Sequence, residues 1–301
     1  MRYRALGIMV AGLAAMPAAA EVTTGAAFLN LPLSVRQTGM GGVAPGGQDV
    51  MRAWSNPAML AGQRTRGELA IDGASMFGGH ESTLAAGAGW VPISPWTIGI
   101  FACAYTASLP EVNGAGDRLD TSLDRSLTAG GIAGAFQSGR VRAGMLLKGM
   151  TDQVLADRAS TVAIDVGWVA ALGPFELGAA ARNLGLSLDR ATGAYAGGVE
   201  LPVEARGGLA WREPDWHLTV VAEFVQIRGR RARTAAGAEW MTLDRFALRT
   251  GFEDAEDITG RFTLGLSASF SDFGLDYAMA AHPIGPSHRL SLTYAFGPAG
   301  R

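Results

Sequence analysis

The chain has one cysteine, Cys103, and one lysine, Lys148. A lone cysteine excludes a disulfide within the chain and any multi-cysteine metal site. Charged residues make up only 17% of the 301 and nearly cancel, leaving a net charge of −2. That balance excludes a broadly basic nucleic-acid binder and an acidic disordered tail. A hydrophobic share of 48% excludes intrinsic disorder. The 42 glycines follow no three-residue period, so the chain is not collagen-like. Catalytic motifs are missing as well. His80, His217, His282 and His288 form no His-Glu-x-x-His pair, although alternation around His217 puts that residue on a strand, facing a lumen. Ser267 lacks the second glycine of a nucleophile elbow. Lys148 is followed by Gly149 and Met150, which rules out a phosphate-cradling loop. The chain reads as a non-enzyme with no cofactor.

Long helical hydrophobic runs are scarce too. The first stands at the N-terminus, where Arg2 and Arg4 precede an apolar stretch ending in Ala18-Ala19-Ala20. Residues 1–20 read as an export signal; a buried helix is the alternative. The longest uncharged run, Ser82 to Pro110, is broken by Pro92 and Pro95 and reads as two strands.

What the chain does have is a period of two. In Arg140 to Gly149, Val141, Ala143, Met145 and Leu147 alternate with Arg142, Gly144, Leu146 and Lys148. That is a strand with two unlike faces. Fourteen such segments are expected, near 67–77, 82–91, 96–108, 127–137, 140–150, 160–172, 175–183, 202–211, 216–225, 231–240, 245–253, 260–270, 273–280 and 287–296. Alternate connections are short turns, while 109–126 and 184–201 read as long polar loops. An even strand number, strands of about ten residues and this loop asymmetry fit a closed antiparallel transmembrane β-barrel of the bacterial outer membrane. A soluble sandwich would need a very large core, yet the apolar faces are rich in Ala and Gly. Trp90, Trp96, Trp168, Trp211, Trp216, Trp240, Tyr294 and Phe296 fall near strand ends, as interfacial belts require. The organisation expected is a signal at 1–20, a plug-like segment at 21–66, a barrel at 67–296 and a periplasmic tail at 297–301. For 21–66, a periplasmic tail without a role is the alternative.

Ser34-Val35-Arg36-Gln37-Thr38-Gly39-Met40-Gly41-Gly42, followed by Trp54-Ser55-Asn56-Pro57-Ala58, resembles the N-terminal signature of the PorV/PorQ family of outer-membrane proteins. Ala181-Arg182-Asn183-Leu184-Gly185, Leu248-Arg249-Thr250-Gly251-Phe252 and His288-Arg289-Leu290-Ser291-Leu292 are similar to that family's later strands. The family is related to FadL-type transporters, whose hatch carries a similar Asn-Pro-Ala. The resemblance implies a fourteen-stranded barrel with a hatch built on Gly39, Met40, Gly41, Gly42, Asn56, Pro57 and Ala58. It implies an accessory role in a type IX-like secretion pathway, with a translocon or cargo protein as partner. The alternative it carries is FadL-like transport of fatty acids or other hydrophobic small molecules.

On the faces opposite the lipid stand Arg142, Lys148, Asp165, Glu176, Arg182, Glu204, Arg206, Arg212, Glu223, Arg231, Arg233, Glu239, Arg249, Arg261, Asp276 and Arg289. Interleaved signs point to cross-strand pairing that fills the interior. A polar conduit is the other reading.

Overall fold

The computed structural model describes residues 26–297, apart from residues 48, 62–65, 113–117, 190–192, 194–195, 244, 256–257 and 284. The export signal expected at 1–20 lies outside the described residues, as does the tail beyond Gly297. Fourteen strands follow one another: β1 (Gly67–Met76), β2 (Glu81–Ile93), β3 (Trp96–Val112), β4 (Arg118–Ser138), β5 (Val141–Val154), β6 (Asp157–Leu172), β7 (Phe175–Gly185), β8 (Glu204–Glu213), β9 (Leu218–Ile227), β10 (Arg233–Thr242), β11 (Phe246–Ala255), β12 (Ile258–Phe270), β13 (Phe273–Ala280) and β14 (Ser287–Phe296). They form a closed antiparallel barrel. β14 returns to β1, from Gly67 opposite Phe296 to Ser75 opposite His288. Closure leaves no row of unpaired backbone groups, each of which costs several kcal/mol in hydrocarbon. No described helix is long and apolar enough to cross a membrane, which says nothing about strands.

The period of two decides which side chains point out. On β5, Val141, Met145 and Leu147 are half-exposed or more, while Arg142, Leu146 and Lys148 are buried. One outward register row reads Ile100, Ile132, Leu147 and Ile164 across β3 to β6, all exposed. A wall with isoleucine and leucine outside and ionised groups inside is stable only against lipid.

The barrel has two unlike ends. Both Gly67 and Phe296 lie at one end, which is closed by short turns such as 139–140, 173–174 and 271–272. We call this the turn end and the opposite one the loop end. Most outward aromatics stand at the turn end, while Phe224, Phe252 and Phe262 lie towards the loop end of β9, β11 and β12. Trp96, Phe136, Ala143 and Trp168 share one register row there. Trp96 and Phe136 lie 5.0 Å apart between ring centroids, and Phe273 and Tyr294 lie 4.9 Å apart.

Three sequence expectations change. The polar stretch 109–126 is not mainly a loop: β3 runs on to Val112 and β4 starts at Arg118, with Pro110 opposite Ser122. Strand pairing continues there because a strand beyond the hydrocarbon no longer needs an apolar face. β4 is 21 residues long and β6 16, against 10 for β8 to β11, so the wall is tallest around β3–β6. Arg231 lies in the β9–β10 connection rather than on the inner wall. His217 sits in the β8–β9 turn with φ 50°, exposed, and so does not line the lumen.

Residues 26–61 fold inside the barrel. They form the short helix α1 (Val35–Gly39) and three single 3-10 turns at Ala27–Asn30, Val50–Trp54 and Pro57–Leu60. Capping explains these pieces. Ser34 Oγ accepts from the Gln37 N–H, Asp49 accepts from the Arg52 N–H and Asn56 Oδ1 accepts from the Ala58 N–H. Pro57 fixes φ in the first position of its turn.

Candidate functional site: the seat of the inner segment

An apolar cluster joins the segment to the inner wall. Phe28, Leu29, Met51, Trp54 and Leu60 pack among Ala85, Phe101, Cys103, Leu127 and Leu146. Phe28 stacks on Tyr105 with centroids 5.2 Å apart. Met40 and Val43 pack on Ala210, Val221 and Ala235 on the other side. Ala58 and Met59 meet Val169.

Glycines on the inner wall let the segment's backbone come close. A methyl group at Gly144 would lie 2.5 Å from the Pro57 carbonyl carbon and 2.6 Å from Ala58 N. At Gly251 it would overlap Gly41 N, and at Gly167 Asn56 Oδ1. Gly39 meets Gly265 with no side chain between them; a methyl on either would stand 3.1 Å from the other's Cα.

The ionic side chains complete the seat. Lys148 Nζ lies 2.7 Å from Asp165 and 2.5 Å from Asn183 Oδ1, and stands over the Trp54 ring at 5.0 Å. Arg182 donates to Glu204 at 2.8 Å and to the Leu29 carbonyl at 2.7 Å. Asn183 Nδ2 donates to Asn30 Oδ1 at 2.7 Å. Arg206 pairs with Glu223 at 2.7 Å and reaches the Gly42 carbonyl at 3.3 Å. Glu223 accepts from the Ala44 N–H, and Glu176 from the Gly46 N–H. Arg142 pairs with Glu176 at 2.5 Å and donates to the Ala61 carbonyl. Arg249 bridges Glu239 at 2.6 Å and Asp276 at 2.8 Å, and Arg36 from α1 shares Glu239. Arg289 donates to the Pro32 carbonyl at 2.6 Å. Thr263 Oγ1 accepts from the Gly41 N–H and donates to the Gly39 carbonyl.

All nine expected charges thus face inward: Arg142, Asp165, Arg182, Glu204, Arg206, Glu223, Arg249, Asp276 and Arg289. Eight of them are paired with an opposite charge, Arg289 instead donates to the Pro32 carbonyl, and five strands turn theirs onto the segment's main chain. Asn56 bonds the wall too, its Nδ2 donating to the Trp168 and Ala179 carbonyls at 3.4 and 3.3 Å. Sequence reasoning missed Arg52 and named Trp54 only within the N-terminal signature, with no role; both are fully buried. Arg52 spans the segment, donating to Asp49 at 2.9 Å and to the Ala44 carbonyl at 2.8 Å. Burial lowers its pKa, and the Asp49 carboxylate opposes that shift. The spacing Asp49-x-x-Arg52 carried this pair in the sequence, but only the folded segment makes it informative. Among the described residues no group of His, Cys, Asp or Glu is placed to hold a metal.

On the opposite side of the wall from Gly39 and Gly41 lies an outward groove of about 520 Å³. Leu218, Ala238, Trp240, Leu248, Leu264, Leu266, Tyr277 and Met279 line it, and its floor reaches Gly265. The groove and α1 are therefore separated at Gly265 by a single thickness of backbone. A smaller polar cavity of about 180 Å³ opens beside Arg36, Asp49, Glu68 and Asp276.

No family model matches the chain, and no curated protein matches it. The PorV/PorQ resemblance and the secretion role it implied therefore gain no support. Solved structures do match. The Pseudomonas putida toluene transporter TodX aligns over 86% of this chain and 95% of its own, at 13% identity and a TM-score of 0.63. A mutant of the monoaromatic hydrocarbon channel TodX gives 87% and 98%, at 12% identity and 0.64. The Ralstonia pickettii toluene transporter TbuX gives 89% and 98%, at 13% identity and 0.60. At such identities the likeness is one of fold: a fourteen-stranded barrel similar to those transporters along nearly its whole length.

Proposed function

We propose that the protein is a FadL-like outer-membrane channel for hydrophobic small molecules, with residues 26–61 as its hatch. The observation that carries this reading is the pairing of a stoppered lumen with an apolar groove behind a glycine-thin wall. Among the described residues most inner charges are paired with each other or bonded to the segment, which leaves little ionic lining to pass polar solutes. The groove is almost wholly apolar, and only Gly265 divides it from α1. A hydrophobic molecule gains by burial in proportion to its apolar area, which suits that surface and not the ionic belt. A displaced α1, together with a local parting of β12 from a neighbouring strand at Gly265, would join the inner seat to the groove and so to the bilayer. The fold it shares with the toluene transporters supports the same class of cargo. The reading also places the turn end in the periplasm, the loop end outside the cell and outer-membrane lipid around the wall. No observation favours a secretion translocon or cargo protein as partner.

The test is uptake of radiolabelled toluene into proteoliposomes. Saturable uptake by the wild type is expected, falling to the protein-free level in Ala238→Trp, which fills the groove from the lipid side. Wild-type uptake no greater than that of protein-free vesicles would overturn the reading.

A further inference from the structure

On β2 to β6 the outward face changes character abruptly. The rows nearest the turn end carry Trp96, Phe136 and Trp168, and the middle rows carry isoleucine and leucine. Towards the loop end one continuous register row then reads Ser82, Thr106, Ser126, Gln153 and Arg158, one residue from each of five strands. Ser82 and Thr106 join their hydroxyls at 2.7 Å. In the next row above, Ser108 donates to Asp124 at 2.7 Å.

The height of this row identifies what it meets. From Trp96 to Thr106 is ten residues along β3, about 33 Å of strand and about 25 Å along the membrane normal at a tilt of ~40°. That is the height of the apolar band of an outer-membrane barrel. A belt of aromatics at the turn end therefore leaves the hydroxyl row at the headgroups of the far leaflet. β3 and β4 continue past it to Val112 and from Arg118, so the wall stands beside those headgroups rather than ending beneath them. The surface there is concave: Ser82, Thr106, Ser126 and Gln153 line a hollow of about 330 Å³, with Glu81 and Asp124 at its side and Arg158 beyond it. Arg158 is exposed at one end of the row and has no ion pair among the described residues; its register partner is the neutral Gln153. The carboxylate of Asp124 lies two strands away from it, beside the hydroxyls.

We propose that this row binds the phosphorylated sugar headgroup of an outer-leaflet glycolipid. The hydroxyls and the Gln153 amide meet sugar hydroxyls, and Arg158 meets a phosphate. Serine and threonine hydroxyls both donate and accept, which matches a sugar ring; a phospholipid headgroup would use the Arg158 end alone. The proposal rests on the outer-membrane placement above and is independent of what the channel carries.

The test is native mass spectrometry of the detergent-solubilised protein. The probes are an acylated bis-phosphorylated disaccharide glycolipid, its dephosphorylated form, and phosphatidylglycerol. The wild type is expected to retain the phosphorylated glycolipid over phosphatidylglycerol. Arg158→Ala should weaken that retention on the order of tenfold, the scale of a lost charge-assisted hydrogen bond, and Arg158→Lys should restore part of it. Ser126→Leu should weaken it with Arg158 intact, while toluene uptake stays at the wild-type level in every variant. Equal retention of glycolipid and phosphatidylglycerol by the wild type overturns the proposal, and so does equal binding of the dephosphorylated form. If Arg158→Ala does not fold, as judged by gel mobility before and after boiling, the wild-type comparison and Ser126→Leu still decide it. Loss of uptake with glycolipid selectivity intact would remove the transport reading and leave this one standing.

Discussion

Lys148 Nζ stands 2.7 Å from Asp165 Oδ2, and neither side chain has any access to solvent. It is the chain's single lysine, and Asp165 also accepts from the Asn183 N–H at 2.6 Å across an irregularity in the β6–β7 register. The pair therefore holds both a bulged wall and the Trp54 ring of the inner segment.

Lys148→Met leaves Asp165 buried without its hydrogen-bonded cation, with only Arg182 Nε at 3.9 Å facing it. A loss of about 3–5 kcal/mol is expected from breaking one side of a buried pair. The midpoint temperature of the shift in gel mobility should fall. The double variant Lys148→Met with Asp165→Asn should recover part of that fall, because the unpaired charge is gone. Equal midpoints for the single and double variants would contradict this account.

Asn56 fixes its own turn and bonds two wall carbonyls. Asn56→Ala should loosen the segment locally at a cost of about 1–2 kcal/mol. Hydrogen exchange over residues 50–61 should speed up while exchange on β10 to β14 holds steady. Gly167→Val should reproduce this effect by driving Asn56 Oδ1 from its place. Unchanged exchange in both variants would show that this contact does not hold the segment.

Cys103 reports on the seat. It is buried on the inner wall beneath the segment and is the only thiol. A maleimide should leave the native protein unlabelled. Gly251→Val, which overlaps Gly41, should increase labelling while the barrel keeps its anomalous gel mobility. Rapid labelling of the native protein would mean that the segment does not cover this wall.

Closure depends on β14. A chain ending before Ser287 strips β1 and β13 of their partner. Each backbone group then left unsatisfied in hydrocarbon costs several kcal/mol, so no boil-sensitive compact band should form. A compact band from the shortened chain would refute the role of the β1–β14 pairing.

Much of this was legible in the residues, for a physical reason. A wall between lipid and a polar interior must alternate, and residues 141–148 of β5 or 261–267 of β12 show it. The parts that were missed lack that constraint. The outer lengths of β3 and β4 pair above the hydrocarbon, where Pro110 and Ser122 need no oily face. The inner segment has no period at all, since its turns are set by Ser34, Asp49 and Asn56 and by the wall around them. The alternation by itself assigns no role to Gly144 or Gly251. Their use shows only once Pro57 and Gly41 lie against them.

Arg142, Arg182, Arg206 and Arg289 each turn a guanidinium nitrogen onto a main-chain oxygen of the segment, at Ala61, Leu29, Gly42 and Pro32. Every residue carries such an oxygen whatever its side chain. At these four points the stopper is gripped by its ribbon, a hold that a change of side chain there leaves in place, whereas Phe28, Trp54, Arg36 and Asn30 hold it by their lettering and are not free to drift.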